Sequence, residues 1–217
     1  MTNRSRGMRR TALTQTALTQ AAWMQTAFIA GPLCMAAYGA IRLSDPTHGP
    51  NLAWISGHIA MVAGVLLFGA IFLGLTRLSE PTTRASRVSA RAAAFLGLAG
   101  VVSVTAQGVI DIVVGFRADD RAGMQRLFEG IQSQPGVMPA VYTVGPTLFS
   151  VGLVWLTVQL AVQRRIRAWR PALVVLGTAT MLTSLDLMPL GALFFCAALS
   201  PLGRGIAASR TAPVRLV

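Results

Sequence analysis

The sequence predicts an all-α integral membrane bundle of five transmembrane helices, and three observations predict it. Five apolar stretches, 21–41, 52–75, 92–116, 138–162 and 171–199, interrupt an otherwise polar chain. Each reaches the ~20 residues that an α-helix needs to cross a hydrocarbon core of about 30 Å. The composition is 53% hydrophobic and 12% charged, and nearly all the charge lies between the stretches. The connecting loops alternate between arginine-rich and arginine-poor, the pattern that the positive-inside rule demands. One bundle uses almost every residue and leaves no room for a separate soluble domain.

Residues 1–20 form a basic segment with Arg4, Arg6, Arg9 and Arg10. Within it Thr-Ala-Leu-Thr-Gln occurs twice over 11–20, and this short repeat extends the first helix beyond the membrane. That polar stretch separates the arginines from the apolar run, so the first span reads as a retained anchor and not as a cleaved signal. Gly31-Pro32 predicts a kink in it. The second span carries Trp54 and His58 near its start, with Ala60 and Gly64, then Ala70 and Gly74, four apart. The third repeats that spacing at Ala93 and Gly97. Small residues at this spacing let helices approach closely in lipid, within a bundle or in a homodimer or larger complex.

After the third span, Met124, Leu127, Phe128 and Ile131 recur at helical spacing. Asp119 and Asp120 suit a helix start, and Gln134-Pro135-Gly136 suits a stop. This is a short amphipathic helix, lying on the outer membrane surface or folded over the bundle as a lid. Gly145-Pro146 predicts a kink in the fourth span. The fifth is open to a break at Leu187-Met188-Pro189-Leu190-Gly191. Residues 201–217 form an arginine-containing tail with Arg204, Arg210 and Arg215.

With a cytoplasmic N-terminus, twelve arginines face the cytoplasm, namely the four already named, Arg77, Arg84, Arg87 and Arg91, and Arg164, Arg165, Arg167 and Arg170. Only Glu80 lies among them. The other side receives Arg42, Arg117, Arg121 and Arg126, balanced by Asp45, Asp119, Asp120 and Glu129. The expected location is the cell membrane, with membrane lipids as partners. Five crossings put the arginine-containing tail outside, which the charge rule does not favour, whereas a re-entrant or broken segment at 187–191 would return it to the cytoplasm, so the sequence leaves the side of the tail open. All nineteen basic residues are arginine, which looks like compositional bias, and topology accounts for the net charge of +12, so nucleic acid is not expected as a partner. Cys34 and Cys196 both lie inside spans as packing residues and imply no disulfide framework.

Two acids interrupt the spans, Asp111 and Asp186. A charge in hydrocarbon costs at least ~2.5 kcal/mol, so an intramembrane acid marks a functional site by default. Ser103, Gln107 and Asp111 are spaced by four and form one polar stripe on the third helix. The bland reading of Asp111 is an acid that snorkels toward Arg117. Asp186 follows Thr178, Thr180, Thr183 and Ser184, and counts as the deeper of the two acids. His58 lies about 10 Å and Asp111 about 8 Å below the outer boundary, with Tyr142 at a similar level. The bland reading of His58 is an interhelical hydrogen-bonder, that of Trp54 and Tyr142 is interfacial anchoring, and His48 reads as a loop residue.

Several chemistries lack their residues. Paired histidines for a haem are missing from the spans, as is zinc-protease spacing. Neither a phosphate loop nor a nucleophile elbow occurs, and no span has voltage-sensor arginines. A metal site would need His58, Asp111 and Asp186 to meet, so neither metal nor cofactor is expected.

Trp54-Ile55-Ser56-Gly57-His58, opening a Gly- and Leu-rich helix, resembles a pattern of small uncharacterised multi-spanning membrane proteins of high-GC bacteria. That resemblance covers the second and third spans and implies no activity. In size and in its two intramembrane carboxylates the chain is also similar to small bacterial membrane terpene cyclases, although no further motif matches and five spans are fewer than that family shows.

The leading functional expectation is binding or transport of a small lipophilic or cationic ligand at a polar pocket in the outer leaflet. Asp186 and Asp111 supply charge or exchange protons there, while Gln107, His58, Tyr142 and Trp54 orient the ligand. One alternative is an intramembrane enzyme in which Asp186, Asp111 and His58 do acid/base chemistry on an isoprenoid or other lipid. The other is a structural, assembly or immunity subunit working through the small-residue faces.

Overall fold

The computed structural model describes residues 2–79 and 83–211, with side-chain surroundings for 22–79 and 83–203. In chain order the elements are α1 (Thr2–Ser44), α2 (Leu52–Leu78), α3 (Arg84–Arg117) and α4 (Arg121–Gln132). A π-helical segment (Met138–Val144), α5 (Gly145–Val162), α6 (Trp169–Thr183), a 3₁₀ turn (Leu185–Leu187) and α7 (Met188–Thr211) follow. No strand forms among the described residues. Five helical stretches are long and apolar enough to cross a membrane: Ala22–Ser44, Leu52–Leu78, Arg84–Arg117, Met138–Val162 and Leu185–Gly203.

The helix starts follow local chemistry. The Asn51 side chain accepts from Trp54 N at the start of α2, and Thr83 from Ser86 N at the start of α3. Asp120, not Asp119, caps α4 by accepting from Gly123 N. Each cap satisfies an N–H that the first helical turn leaves unpaired. α1 runs without interruption from Thr2 through the repeat and through Pro32. At Gly145-Pro146 the kink takes the form of the π-helical segment. Pro146 cannot donate to the carbonyl four residues back, and the Gly145 N–H reaches instead to Ala140 O, five back.

The last apolar stretch is not one span. Ser184 is extended (φ −158°, ψ 138°), and its hydroxyl accepts from Asp186 N. Pro189 then sits in the first turn of α7, where a missing N–H costs nothing. The break therefore falls at 184–187, just before the expected site. α6 and α7 form an antiparallel hairpin: Gly177 lies against Gly191 and Phe195, and Arg170 Nη1 donates to Ala198 O at 3.2 Å. α7 runs antiparallel to α1 as well, with Pro189 against Gly39 and Gly203 against Phe28 and Gln25.

This bears on the tail, whose side the sequence leaves open. α6, with 15 residues, rises roughly 22 Å, and α7 returns the chain to the end where α1 begins. α6 falls short of the length a full crossing needs, and only α7 belongs to a stretch long enough to span. Arg204 and Arg210, on the last turns of α7, thus join the arginine-rich end, and the conflict with the charge rule disappears. Glu80 and Arg215 lie outside the described residues, as do the side-chain surroundings of Arg4, Arg6, Arg9, Arg10, Arg204 and Arg210. Epitope tags on the two termini are expected to be accessible from the same side of sealed vesicles; protection of one with exposure of the other would contradict the hairpin.

The glycines are used inside the chain. A Cβ on Gly64 would meet Gly31 O and Cys34 Cβ at 3.1 Å, and one on Gly74 would press on the Phe28 ring. Gly97 faces Phe72 and the backbone of α5 at Gly152. The small-residue faces therefore join α1 to α2 and α3 to α5. Phe68 stacks edge-on against Phe149 and Phe195, at 5.2 and 5.6 Å, and Phe72 against Phe149 at 5.6 Å. With lipid outside, the gain from this core is close packing more than exclusion of water. Phe95, Val102 and Phe116 are about 70% exposed and face outward as lipid-facing surface does.

A polar clamp fixes the arginine-rich ends of α3 and α5. Gln159 Nε2 donates to Ser86 O at 2.8 Å and Gln163 Nε2 to Ser86 Oγ at 2.9 Å. Ser89 Oγ donates to Gln159 Oε1 and itself accepts from Trp155 Nε1, both at 3.0 Å. The opposite end of the bundle carries α4 and is called the α4 end below.

Candidate functional site

The α4 end holds a buried ionisable pair. His58 and Asp111 are 5% and 7% exposed, and His58 Nε2 lies 3.5 Å from Asp111 Oδ2. Glycine brings the two together. Gly108 and Gly115 share with Asp111 the face of α3 that meets α2. A Cβ on Gly108 would come within 2.6 Å of Val62, and one on Gly115 within 2.6 Å of Trp54. The helices therefore approach closely on both sides of Asp111, and its short side chain reaches the imidazole. It does not snorkel toward Arg117, which is exposed.

Trp54 organises the surroundings. Its carbonyl lies 2.7 Å from His58 Nδ1, and its indole N–H donates to Asp111 O at 2.8 Å. Its ring packs on His58 at 4.3 Å, and Tyr38 lies edge-on to His58 at 5.2 Å. The loop before α2 supports Trp54 in turn. Asp45 accepts from Asn51 Nδ2 at 2.7 Å, and Asn51 Oδ1 accepts from Trp54 N at 2.9 Å. Hydrogen bonds from Thr47 and Asn51 hold the Asp45 carboxyl below its ordinary range.

This geometry fixes the tautomer. A carbonyl oxygen only accepts, so Nδ1 carries a proton and Nε2 faces the carboxyl. Attraction across that contact requires one further proton, on Nε2 or on Asp111. Both forms are neutral as a pair, which avoids an isolated buried charge. The arrangement can therefore hold one proton at either of two bases and pass it to a ligand.

Above the pair lies a cleft of about 520 Å³. α4 folds over the end of the bundle and lines one side of the cleft. Met124 is buried, Phe128 lies 6.2 Å from the Trp54 ring, and Gln125, Glu129 and Gln132 line that side. Gln107 and Tyr142 line the wall, the latter from the π-helical segment, which Ser103 Oγ ties to α3 by donating to Ala140 O at 2.8 Å. The stripe Ser103, Gln107, Asp111 thus faces the interior along its length.

Asp186 stands apart. It lies in the break between α6 and α7 at the α4 end, 60% exposed in its side chain, 3.3 Å from Arg42 Nε. The three expected acid/base residues do not meet, and Asp186 is the shallower acid, not the deeper. Its depth was counted along a single helix that the break interrupts. Exposed ion pairs contribute about 0–1 kcal/mol, so Asp186→Asn is expected to shift thermal stability little; a large loss would mean that the Arg42 pair closes the cleft.

Sequence reasoning missed Tyr38, Arg42 and Arg121. Tyr38 packs on His58, while Arg42 and Arg121 line the rim, with Arg121 Nη1 donating to Thr47 O. Tyr38 and Arg42 are four apart on α1, a tyrosine below an arginine at the end of a span, but interfacial anchoring explains that pattern equally well. His48 also lines the rim, with Nδ1 3.0 Å from Pro46 O.

Comparison with known proteins yields no match: no family model, no curated protein and no solved structure aligns with the chain.

Proposed function

We propose that the chain is a multi-pass membrane protein that binds a small lipophilic ligand at the His58–Asp111 pair and exchanges a proton with it. The observation that carries this reading is a buried His–Asp pair, 3.5 Å apart and with His58 hydrogen-bonded to the Trp54 carbonyl, on the floor of a cleft that α4 lines. Intramembrane ionisable residues are costly and face a bundle interior or cavity where they serve a site. The arginine-rich end faces the cytoplasm in this reading, which places the cleft in the outer half of the membrane.

An enzymatic reading draws on the same two residues. A pair that holds one proton at two bases suits acid/base chemistry on a lipid. The two readings part in the product.

The test is mass spectrometry of compounds that co-purify with wild type, Asp111→Asn and Asp186→Asn from matched membranes. Binding predicts a compound present in wild type and Asp186→Asn and depleted in Asp111→Asn. Catalysis predicts a product missing from Asp111→Asn membranes while its precursor accumulates. Identical profiles in all three would remove the pair from function and leave a structural or assembly role.

A further inference from the structure

A second cavity adjoins the first. It measures about 420 Å³ and lies among α1, α2, α3, α5, α6 and α7, and Tyr38, Gln107, Tyr142 and Leu185 line both spaces. The two differ in character. The cleft has Asp111, Arg42, Arg121, Glu129 and three glutamines, whereas the chamber is walled by Val65, Val104, Phe149, Phe195 and methionines. Met35, Met61, Met181 and Met188 all line it. Methionine is flexible and polarizable, and a wall of it adapts to a chain with many rotamers better than to a rigid ring. Leu182 and Leu185 line the chamber and are 66% and 46% exposed. The chamber is therefore not sealed at the α6–α7 break.

From this shared wall between a polar and an apolar space we infer that the ligand is a single-chain amphiphile. Its hydrogen-bonding, net-neutral head sits over the His58–Asp111 pair, and its hydrocarbon chain lies in the methionine-lined chamber. This inference rests on the reading of the pair as a ligand site. The volumes fall within the ordinary range of small-molecule sites. Head charge follows from the balance at the rim: Arg42 is offset by Asp186, and Arg121 is matched by Glu129. Such a rim leaves no excess charge to neutralise an ionic head. Gln107 and Tyr142, at the junction, meet the ligand where head becomes chain.

The experiment uses the full chain in lipid nanodiscs and radiolabelled monoacylglycerols of short and long chain, with glycerol and lysophosphatidylglycerol as competitors. Wild type is expected to bind the long-chain probe at least about tenfold tighter than the short one, since each buried methylene adds to affinity. Glycerol should not compete, and the anionic lysolipid should compete no better than unlabelled monoacylglycerol. Thr178→Phe fills the chamber at a position whose hydroxyl is buried without a hydrogen bond. It should abolish the chain-length preference, while Asp111→Asn weakens both probes.

Equal affinity for short and long probes, or a preserved preference in Thr178→Phe, would overturn the inference. Stronger competition by the anionic lysolipid would overturn the head assignment. Binding that ignores Asp111→Asn would instead remove the proposed function itself. If Thr178→Phe does not fold, the chain-length series on wild type decides alone.

Discussion

Asp111→Ala is expected to lower the stability of the folded bundle by about 1–3 kcal/mol, read as a lower unfolding midpoint in mild detergent. The carboxyl faces His58 Nε2 in a place that is 7% exposed. Its removal leaves a buried ring nitrogen without its partner. Replacing both residues removes both orphans, so His58→Ala should cost less in the Asp111→Ala background than in wild type. Additive losses would mean that the two side chains do not interact. Asp111→Asn separates fold from function: its amide N–H can donate to Nε2 and keep the contact, but it holds no exchangeable acid proton. This variant is expected to fold as wild type does while losing ligand.

Gly152→Ala should be the more damaging single methyl. In an exposed helix interior, Gly→Ala stabilises by about 0.5–1 kcal/mol, and Gly130 in α4, with open space around it, should show that gain. At Gly152 the sign reverses. The new Cβ would sit 2.5 Å from Gly97 N and 2.7 Å from Ala93 O, and these are backbone atoms that no rotamer change can move. α3 and α5 would have to part, and the clamp of Gln159 on Ser86 lies only two turns further along α5. Overpacking commonly costs 1–3 kcal/mol, and a rigid backbone contact belongs at or beyond the upper end. Loss of monodisperse protein in Gly152→Ala, against a stable Gly130→Ala, is the expected pair of results on gel filtration. A well-behaved Gly152→Ala would mean that the two helices are further apart than described.

The spans were legible because lipid imposes one requirement, a long apolar helix, and composition reports it directly. Depth was legible for His58 and Asp111 because both lie a short count from a helix end that the loops mark. Azimuth was not read, although the sequence contains a signal for it: Gly108 and Gly115 bracket Asp111 at spacings of three and four. An acid between two glycines on one helical face indicates close approach by a neighbour. Asp186 was misplaced because its depth depended on an unbroken helix. The Ser184 cap and Pro189 were visible in sequence, but whether they would kink a span or reverse it depends on α7 packing against α1. α4 was legible as amphipathicity. Which surface it covers is a tertiary fact, fixed by Met124 and Phe128 reaching the Trp54 side of the bundle.

The central claim is that His58 and Asp111 share a proton across the α2–α3 contact and that this pair meets the ligand. The sequence has two histidines, so nitrogen NMR of histidine-labelled protein resolves both. Wild type should show His58 protonated at Nδ1, with an Nε2 signal that moves in Asp111→Asn and again when co-purified lipid is stripped. His48 should stay in place in Asp111→Asn. A His58 signal that ignores both the substitution and the stripping would contradict the pair and the function built on it.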